Sequence, residues 1–314
     1  MEVDGYKPPY FLFNKHLETI YPALFRKVSL PPFRRERITT PDDDFLDLDW
    51  LTNGSSRLVI ISHGLEGNSQ RPYIRGMARA FFNNKYDVLA WNYRGCGEEM
   101  NRQLRFYHSG ATDDLDVVVK HAASRYKTIF LVGFSLGGNV TLKYLGEKGA
   151  NAIVKGAATF SVPLNLRSSC EKISTRENYI YARRFLKSLK NKVISKSKIM
   201  KGLDLAGIQQ IANLKTFDDR YTAPLHGFKD AITYYESCSS LYFLKEIRVP
   251  TLVVNAKNDP FLDEGCYPTD VNNPYVQFEY TDHGGHVGFS MFNQNGLYWS
   301  ELRALRFAEL LEVD

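Results

Sequence analysis

Gly133-Phe134-Ser135-Leu136-Gly137, within FLVGFSLGGNV (130–140), is the pattern in this sequence best suited to covalent chemistry. A serine hydroxyl attacks an acyl carbon only when a base takes its proton and an acid orients that base. Both are available downstream, acid first and histidine last. NAKNDPFLD (255–263) carries Asp259, with Asp263 as its competitor, and TDHGGHVGF (281–289) carries His283 and His286. Asp259 is favoured because it ends the strand-like run TLVV and Pro260 blocks further pairing; Asp263 is expected only to cap a helix. His286 is favoured because two glycines permit a tight loop that presents it. The amides of Leu136 and of Leu65, in HGLEGNS (63–69), would bind an oxyanion. His63 reads as a scaffold residue in that loop. The His283/His286 pair has no third ligand at hand, so neither a metal nor a cofactor is expected.

Such residues act only if elements hold them. RLVIISHG (57–64), YDVLAWNYRG (86–95), KTIFLVGF (127–134), VKGAATFSV (154–162), VPTLVVNAKND (249–259) and YVQFEYTDHGG (275–285) each contain a short apolar, β-branched run that predicts a strand. Helical patterns fall at 73–84, 110–125, 139–146 and 297–313, and Thr112 is the expected N-cap of the second. The alternation predicts a mostly parallel central sheet with helices on both faces. FRRERITT and DFLDLDWL (33–40 and 44–51) alternate polar and apolar residues, as in an antiparallel hairpin at the sheet edge. Ser135 then lies where a buried strand turns tightly into a helix, which exposes its hydroxyl beside a helix N-terminus. The alternation stops between about 165 and 240. A helical cap over the C-terminal strand ends, where ligands of such sheets bind, is the simplest reading. The chain is thus expected to be one domain over 1–314 with a cap insertion.

Composition narrows the class. With 314 residues, 44% hydrophobic and 24% charged, the chain is ordinary for a soluble globular protein. No apolar run approaches the ~20 residues of a membrane helix, and the N-terminal residues do not lead one to expect a signal peptide. Cys96, Cys170, Cys238 and Cys266 are scattered, so a cytoplasmic, reduced protein is expected. Between Lys172 and Lys201 ten Lys/Arg face one acid, Glu177, a local net +9 in a chain of net +5. No nucleic-acid motif accompanies that patch. Phe185, Leu186, Leu189 and Val193 recur there at helical spacing, with Arg183, Arg184, Lys187, Lys190 and Lys192 between them. This predicts a basic amphipathic helix, its charges either solvated, or meeting anionic lipid weakly or steering an anionic substrate.

HLETIYPALFR (16–26), DFLDLDW (44–50), HGLEG (63–67), NYRGCG (92–97), YHSG (107–110), GFSLGGN (133–139), FDDRYTAPLHGF (217–228), NDPF (258–261) and GGHVGF (284–289) together resemble the YheT-like α/β hydrolases nearly end to end. The resemblance implies the α/β-hydrolase fold, a Ser135–Asp259–His286 triad and hydrolysis of carboxylic esters, with lipid-directed eukaryotic relatives. An acyltransferase using the same first half-reaction, or a non-catalytic binding protein on this scaffold, are the alternatives. Asp218, Asp219 and Arg220 read mainly as ion pairs pinning the cap, with Pro224 and Gly227 shaping a turn. His108 reads as a loop anchor.

Overall fold

The computed structural model describes residues 5–312. Along the chain run α1 (Lys15–Phe25), β1 (Arg34–Thr39), β2 (Phe45–Leu51), β3 (Arg57–Ser62), α2 (Pro72–Asn83), β4 (Asp87–Asn92), α3 (Thr112–Ala123), β5 (Thr128–Phe134), α4 (Leu136–Lys148) and β6 (Gly156–Phe160). There follow α5 (Leu166–Ile173), α6 (Tyr179–Ser197), α7 (Leu214–Phe217), α8 (Ala223–Leu225), α9 (Ala231–Cys238), β7 (Thr251–Ala256), β8 (Val276–Thr281) and α10 (Trp299–Leu310). Val313, expected to close the last helix, lies outside the described residues.

The six apolar runs become β3 to β8, and the strands form one sheet in the order β1-β2-β4-β3-β5-β6-β7-β8. β4 through β8 pair in parallel, while β1–β2 and β2–β4 are antiparallel. Strands with no polar face need cover on both sides. On one side Leu58, Ile60 and Leu131 meet Leu115, Val118 and Leu142 of α3 and α4. On the other, Val59, Ile61 and Val132 meet Ile74, Met77 and Phe81 of α2 and Trp299 and Leu305 of α10.

One local expectation is borne out and another is corrected. The edge hairpin forms, but β2 presents no polar face to water: all seven residues are buried. Its aspartates lie directly opposite arginines of β1, and fork-to-fork bonds neutralise them. Arg35 reaches Asp49 at 2.9 and 2.9 Å, and Arg37 reaches Asp47 at 2.7 and 3.0 Å. Thr112 is the first residue of α3 rather than its cap; Ala111 occupies the cap without a side-chain bond. The first-turn acid Asp114 instead turns inward onto the buried Arg94, at 2.7–3.1 Å.

Between β6 and β7 the described chain is helical. α5 to α9 gather an apolar cluster of their own, including Leu166, Leu186, Val193, Phe217 and Tyr235, which also takes in Phe106 from the loop before α3. A π turn, Asp218–Thr222, joins α7 to α8. Only part of FDDR is ionic. Asp219 pairs with Lys215 and Arg220 with Asp204, but Asp218 accepts from the hydroxyls of Tyr235 (2.6 Å) and Thr222 (2.5 Å). Burial pushes the Asp218 carboxyl up to about 6. α6 is amphipathic as expected, yet Lys192 does not belong to its solvated charges. Its ammonium is turned inward to Glu66 at 2.6 Å, because the helix lies against the loop after β3. Lys196, one turn on, is fully buried against Asn101 Oδ1 (2.7 Å) and the carbonyl of Arg105 (2.9 Å), and burial pushes it down to about 7.

The turn from β5 into α4 depends on close backbone crossing. A Cβ on Gly137 would lie 2.6 Å from the His63 carbonyl oxygen and against that of Ser62; one on Gly133 would lie 2.5 Å from the Gly137 oxygen. These are backbone atoms of β3, of the residue that follows it and of α4, and cannot swing aside. Gly137→Ala is therefore expected to destabilise the protein by about 2 kcal/mol or more through overpacking, read by urea unfolding, with loss of activity.

Candidate active site

Ser135 occupies the apex between β5 and α4 with φ 52° and ψ −121°. Its N–H donates to the Phe160 carbonyl on β6 at 2.9 Å, fixing the apex to the neighbouring strand. Asp259 lies just beyond the end of β7 with its carboxylate fully buried, and His286 lies in the loop after β8. The structure brings the three together. His286 Nε2 stands 3.0 Å from Ser135 Oγ, and Nδ1 stands 2.8 and 3.1 Å from the two Asp259 oxygens. A carboxylate only accepts, so Nδ1 carries the proton and Nε2 offers its lone pair to the serine hydroxyl. Asp259 Oδ1 also accepts the Phe261 N–H at 2.8 Å.

Neither competitor reaches this chain of bonds. Asp263 caps the short 3₁₀ turn Glu264–Cys266, accepting from Gly265 N at 3.1 Å. His283 points to Glu18 at 3.1 Å and is half exposed. His63 is buried; Nδ1 donates to the Gly64 carbonyl at 2.8 Å and Nε2 accepts from Tyr93 N–H at 3.3 Å, so it is neutral, and burial pushes it down to about 3. His108 accepts from Gly110 N–H at 3.1 Å and packs on His226 of the insertion.

The loop after β3 lies against the serine: a Cβ on Gly64 would come within 3.2 Å of the Ser135 Cβ. In that loop Gly64 N–H donates to Tyr73 Oη (3.0 Å), Glu66 N–H to Tyr107 Oη (2.8 Å) and Gly67 N–H to the Gly64 carbonyl (3.0 Å). The neighbouring amides of Gly64, Glu66 and Gly67 are taken, while the Leu65 amide has no acceptor among the described residues. The Leu136 amide is the first of α4, among the N–H groups that a helix leaves without an internal acceptor. Among the described residues no group of three or more His, Cys, Asp or Glu could hold a metal ion.

A sequence profile of the alpha/beta hydrolase fold matches residues 57–290. The chain is 36% identical over 288 residues to YheT of Escherichia coli (strain K12), which is named an esterase, covering 88% of this chain and 84% of that one. The chain belongs to the alpha/beta hydrolase family, in its YheT-like branch. The hydrolase is also 30% identical over 278 residues to the human phospholipase ABHD3, covering 83% of this chain and 68% of that one. In fold it is similar to the Pyrococcus furiosus esterase Pf2001, with a TM-score of 0.61 at 18% identity over 99% of both chains. It is an enzyme, a carboxylic ester hydrolase of the esterase–lipase kind.

Several residues that shape the site carry no spacing signal. Glu18 of α1 is buried, and its carboxylate accepts from Gly284 N–H (2.5 Å), Asn258 Nδ2 (3.0 Å) and His283. Thr19 Oγ1 accepts the His286 N–H at 2.9 Å, and Asn258 Oδ1 accepts the Gly285 N–H at 3.0 Å. The hydrolase thus hangs its histidine loop on the N-terminal helix. HLETIYPALFR and NDPF are conspicuous in the sequence, but nothing in their patterning points to those contacts. Tyr181 and Phe185 of α6 pack on Phe261, whose ring centroid is 4.3 Å from that of His286.

Glu18→Ala should leave the Gly284 amide and the Asn258 amide group unpartnered and loosen the His286 loop. It is expected to cost about 1–3 kcal/mol of stability and to lower kcat at least tenfold. His283→Ala, removing one exposed partner of the same carboxylate, should change kcat less than threefold. Steady-state kinetics beside thermal melts will compare them.

Proposed function

We propose that the hydrolase cleaves acyl esters through an acyl-enzyme formed on Ser135. The observation that carries this reading is the unbroken chain of hydrogen bonds from Asp259 through His286 to a serine held at a strand-to-helix apex. His286 takes the Ser135 proton as Oγ attacks the acyl carbon, then gives it to the leaving alcohol. Asp259 holds the tautomer and offsets the imidazolium charge. The Leu65 and Leu136 amides receive the tetrahedral oxyanion. Water activated by His286 releases the acid and restores the serine. An alcohol in place of that water would give acyl transfer, detected by product analysis with added alcohol.

Lipid-like acyl esters suit the apolar wall that Phe261, Tyr181 and Phe185 raise beside His286. A relative named phospholipase supports that substrate class. We treat residues 1–314 as one domain with its cap at about 165–240. All four cysteines are buried free thiols, the state a reducing cytoplasm keeps, and we place the enzyme there. The outer face of α6 sets exposed Arg183, Arg184 and Lys187 beside Ile180, which is 75% exposed. This face would meet anionic lipid while the inner face borders the site.

Ser135→Ala should lower kcat by ~10⁶ with the fold intact; activity within tenfold of wild type would overturn the assignment. Asp259→Asn should cost on the order of 10⁴, and Asp263→Asn less than tenfold. A panel of esters of graded acyl length will define the chain preference. Co-sedimentation with vesicles should require anionic lipid and fade as salt shortens the Debye length to below ~8 Å. Binding indifferent to lipid charge and salt would leave the α6 charges merely solvated.

A further inference from the structure

The turn that carries the Leu65 amide is made in a way its sequence opposes. Gly64 and Gly67 close it with a carbonyl-to-amide bond, Leu65 stays outside the positive-φ region, and Glu66 takes φ 53°. That is the type II arrangement, whose third position ordinarily falls to Gly or Asn. An L-residue persists there only when its surroundings over-determine it.

Every polar group of Glu66 is held. Its N–H donates to Tyr107 Oη and its carbonyl accepts from Arg71 Nη2, each at 2.8 Å. Its carboxylate accepts from Tyr107 Oη (2.8 Å), Ser188 Oγ (2.6 Å) and Lys192 Nζ (2.6 Å). Ser188 and Lys192 stand one turn apart on α6, more than 120 residues along the chain. Lys192 is closed in from the other sides by Cys96 Sγ (3.1 Å) and the Tyr107 ring (4.7 Å). Glu66 and Lys192 side chains are 9% and 11% exposed, so this contact is not a screened surface pair. Burial alone would raise the Glu66 carboxyl, but the Lys192 charge and the three hydroxyl and ammonium donors outweigh it and hold it below its usual range.

We propose that Glu66 is a positioning residue for the oxyanion site: through Ser188 and Lys192, α6 grips its carboxylate and keeps the 64–67 turn in the form that aims the Leu65 amide at the substrate oxygen. The inference rests on the reading of Ser135 as nucleophile and Leu65 as oxyanion donor. Seating of α6 and completion of the oxyanion site then become a single event, so the helical insertion acts on the chemistry as well as on access. Glycine at position 66 would form the turn without strain; a gripped glutamate makes the turn depend on the helix.

The test compares Glu66→Gln, Lys192→Met, their double variant, the milder Ser188→Ala and the conservative Lys192→Arg in the full chain. For each, kcat and KM for a soluble short-chain ester are measured, with thermal melts and the affinity for a trifluoromethyl ketone. That ketone adds to a reactive serine and places its oxyanion in the hole. In Glu66→Gln and Lys192→Met, kcat/KM and ketone affinity should fall together by roughly 10- to 100-fold, short of the ~10²–10³ lost with a whole donor. KM should hold within about threefold. Ser188→Ala should lose less in the same pattern, Lys192→Arg should recover most of the loss, and the double variant should be no worse than the worse single, as for residues acting as one unit. The inference is overturned if the variants keep kcat/KM and ketone affinity within twofold, if activity falls while ketone affinity does not, or if the single losses multiply in the double variant. Wild-type protein that neither turns over esters nor binds the ketone would instead refute the underlying reading of Ser135.

Discussion

Ser135 sits at φ 52° and ψ −121°, a conformation that costs an L-residue about 1–3 kcal/mol, and most of the architecture serves to keep it there. The serine cannot relax because its N–H is tied to β6 and its two flanking segments belong to β5 and α4, both central and buried. Glycines on either side let α4 cross β3 and β5 so closely that a methyl group would strike backbone oxygen. The strained residue and the space around it are one design. A parallel sheet covered on both faces is rigid enough to hold such an apex, and it brings β7 and β8 alongside with their C-terminal loops at the same edge.

Those loops are anchored by the buried rings of Phe261 and Phe289, and polar contacts fix their backbone. The histidine loop bends through Gly284, Gly285, Val287 and Phe289, all at positive φ, so its amides point in several directions and need partners from elsewhere. Glu18, Thr19, Asn258 and Ser161 supply them. Buried carboxylates are costly when unpaired; here each is matched with donors, Glu18 with three and Asp259 with the imidazole and an amide. The same logic fixes the opposite wall of the site, where Glu66 joins the loop after β3 to α6. The candidate site is therefore assembled from an N-terminal helix, four strand ends and the helical insertion, and a change in any of them reaches the serine within two or three contacts.

How much of this the sequence discloses follows from range. Elements set by local pattern are legible: the six apolar runs are strands, and a Gly-x-Ser-x-Gly between a strand and a helix marks the apex. Asp259 and His286 are legible because strand ends and chain order point to them. What escapes is what depends on distant partners. DFLDLDWL reads as an alternating strand of an edge hairpin, and nothing local tells that Arg35 and Arg37 will cover Asp47 and Asp49. Lys192 reads as a solvated charge because helical spacing cannot reveal that Glu66 waits more than 120 residues upstream. Glu18 falls on an amphipathic helix whose apolar face gives no hint that its one buried acid anchors a loop 266 residues away. Thr112 looks like a cap because its type favours caps, whereas the turn at Gly110 and Ala111 begins the helix one residue earlier.

The central claim is that Ser135 is the nucleophile, activated by His286. Its most direct test is to treat the folded protein with a fluorophosphonate and to locate the adduct by intact-mass and peptide mass spectrometry. The account predicts one adduct per chain, on the peptide containing Ser135, and none in His286→Ala on the same timescale. An adduct on any other residue, unreacted wild-type protein, or undiminished labelling without His286 would contradict it.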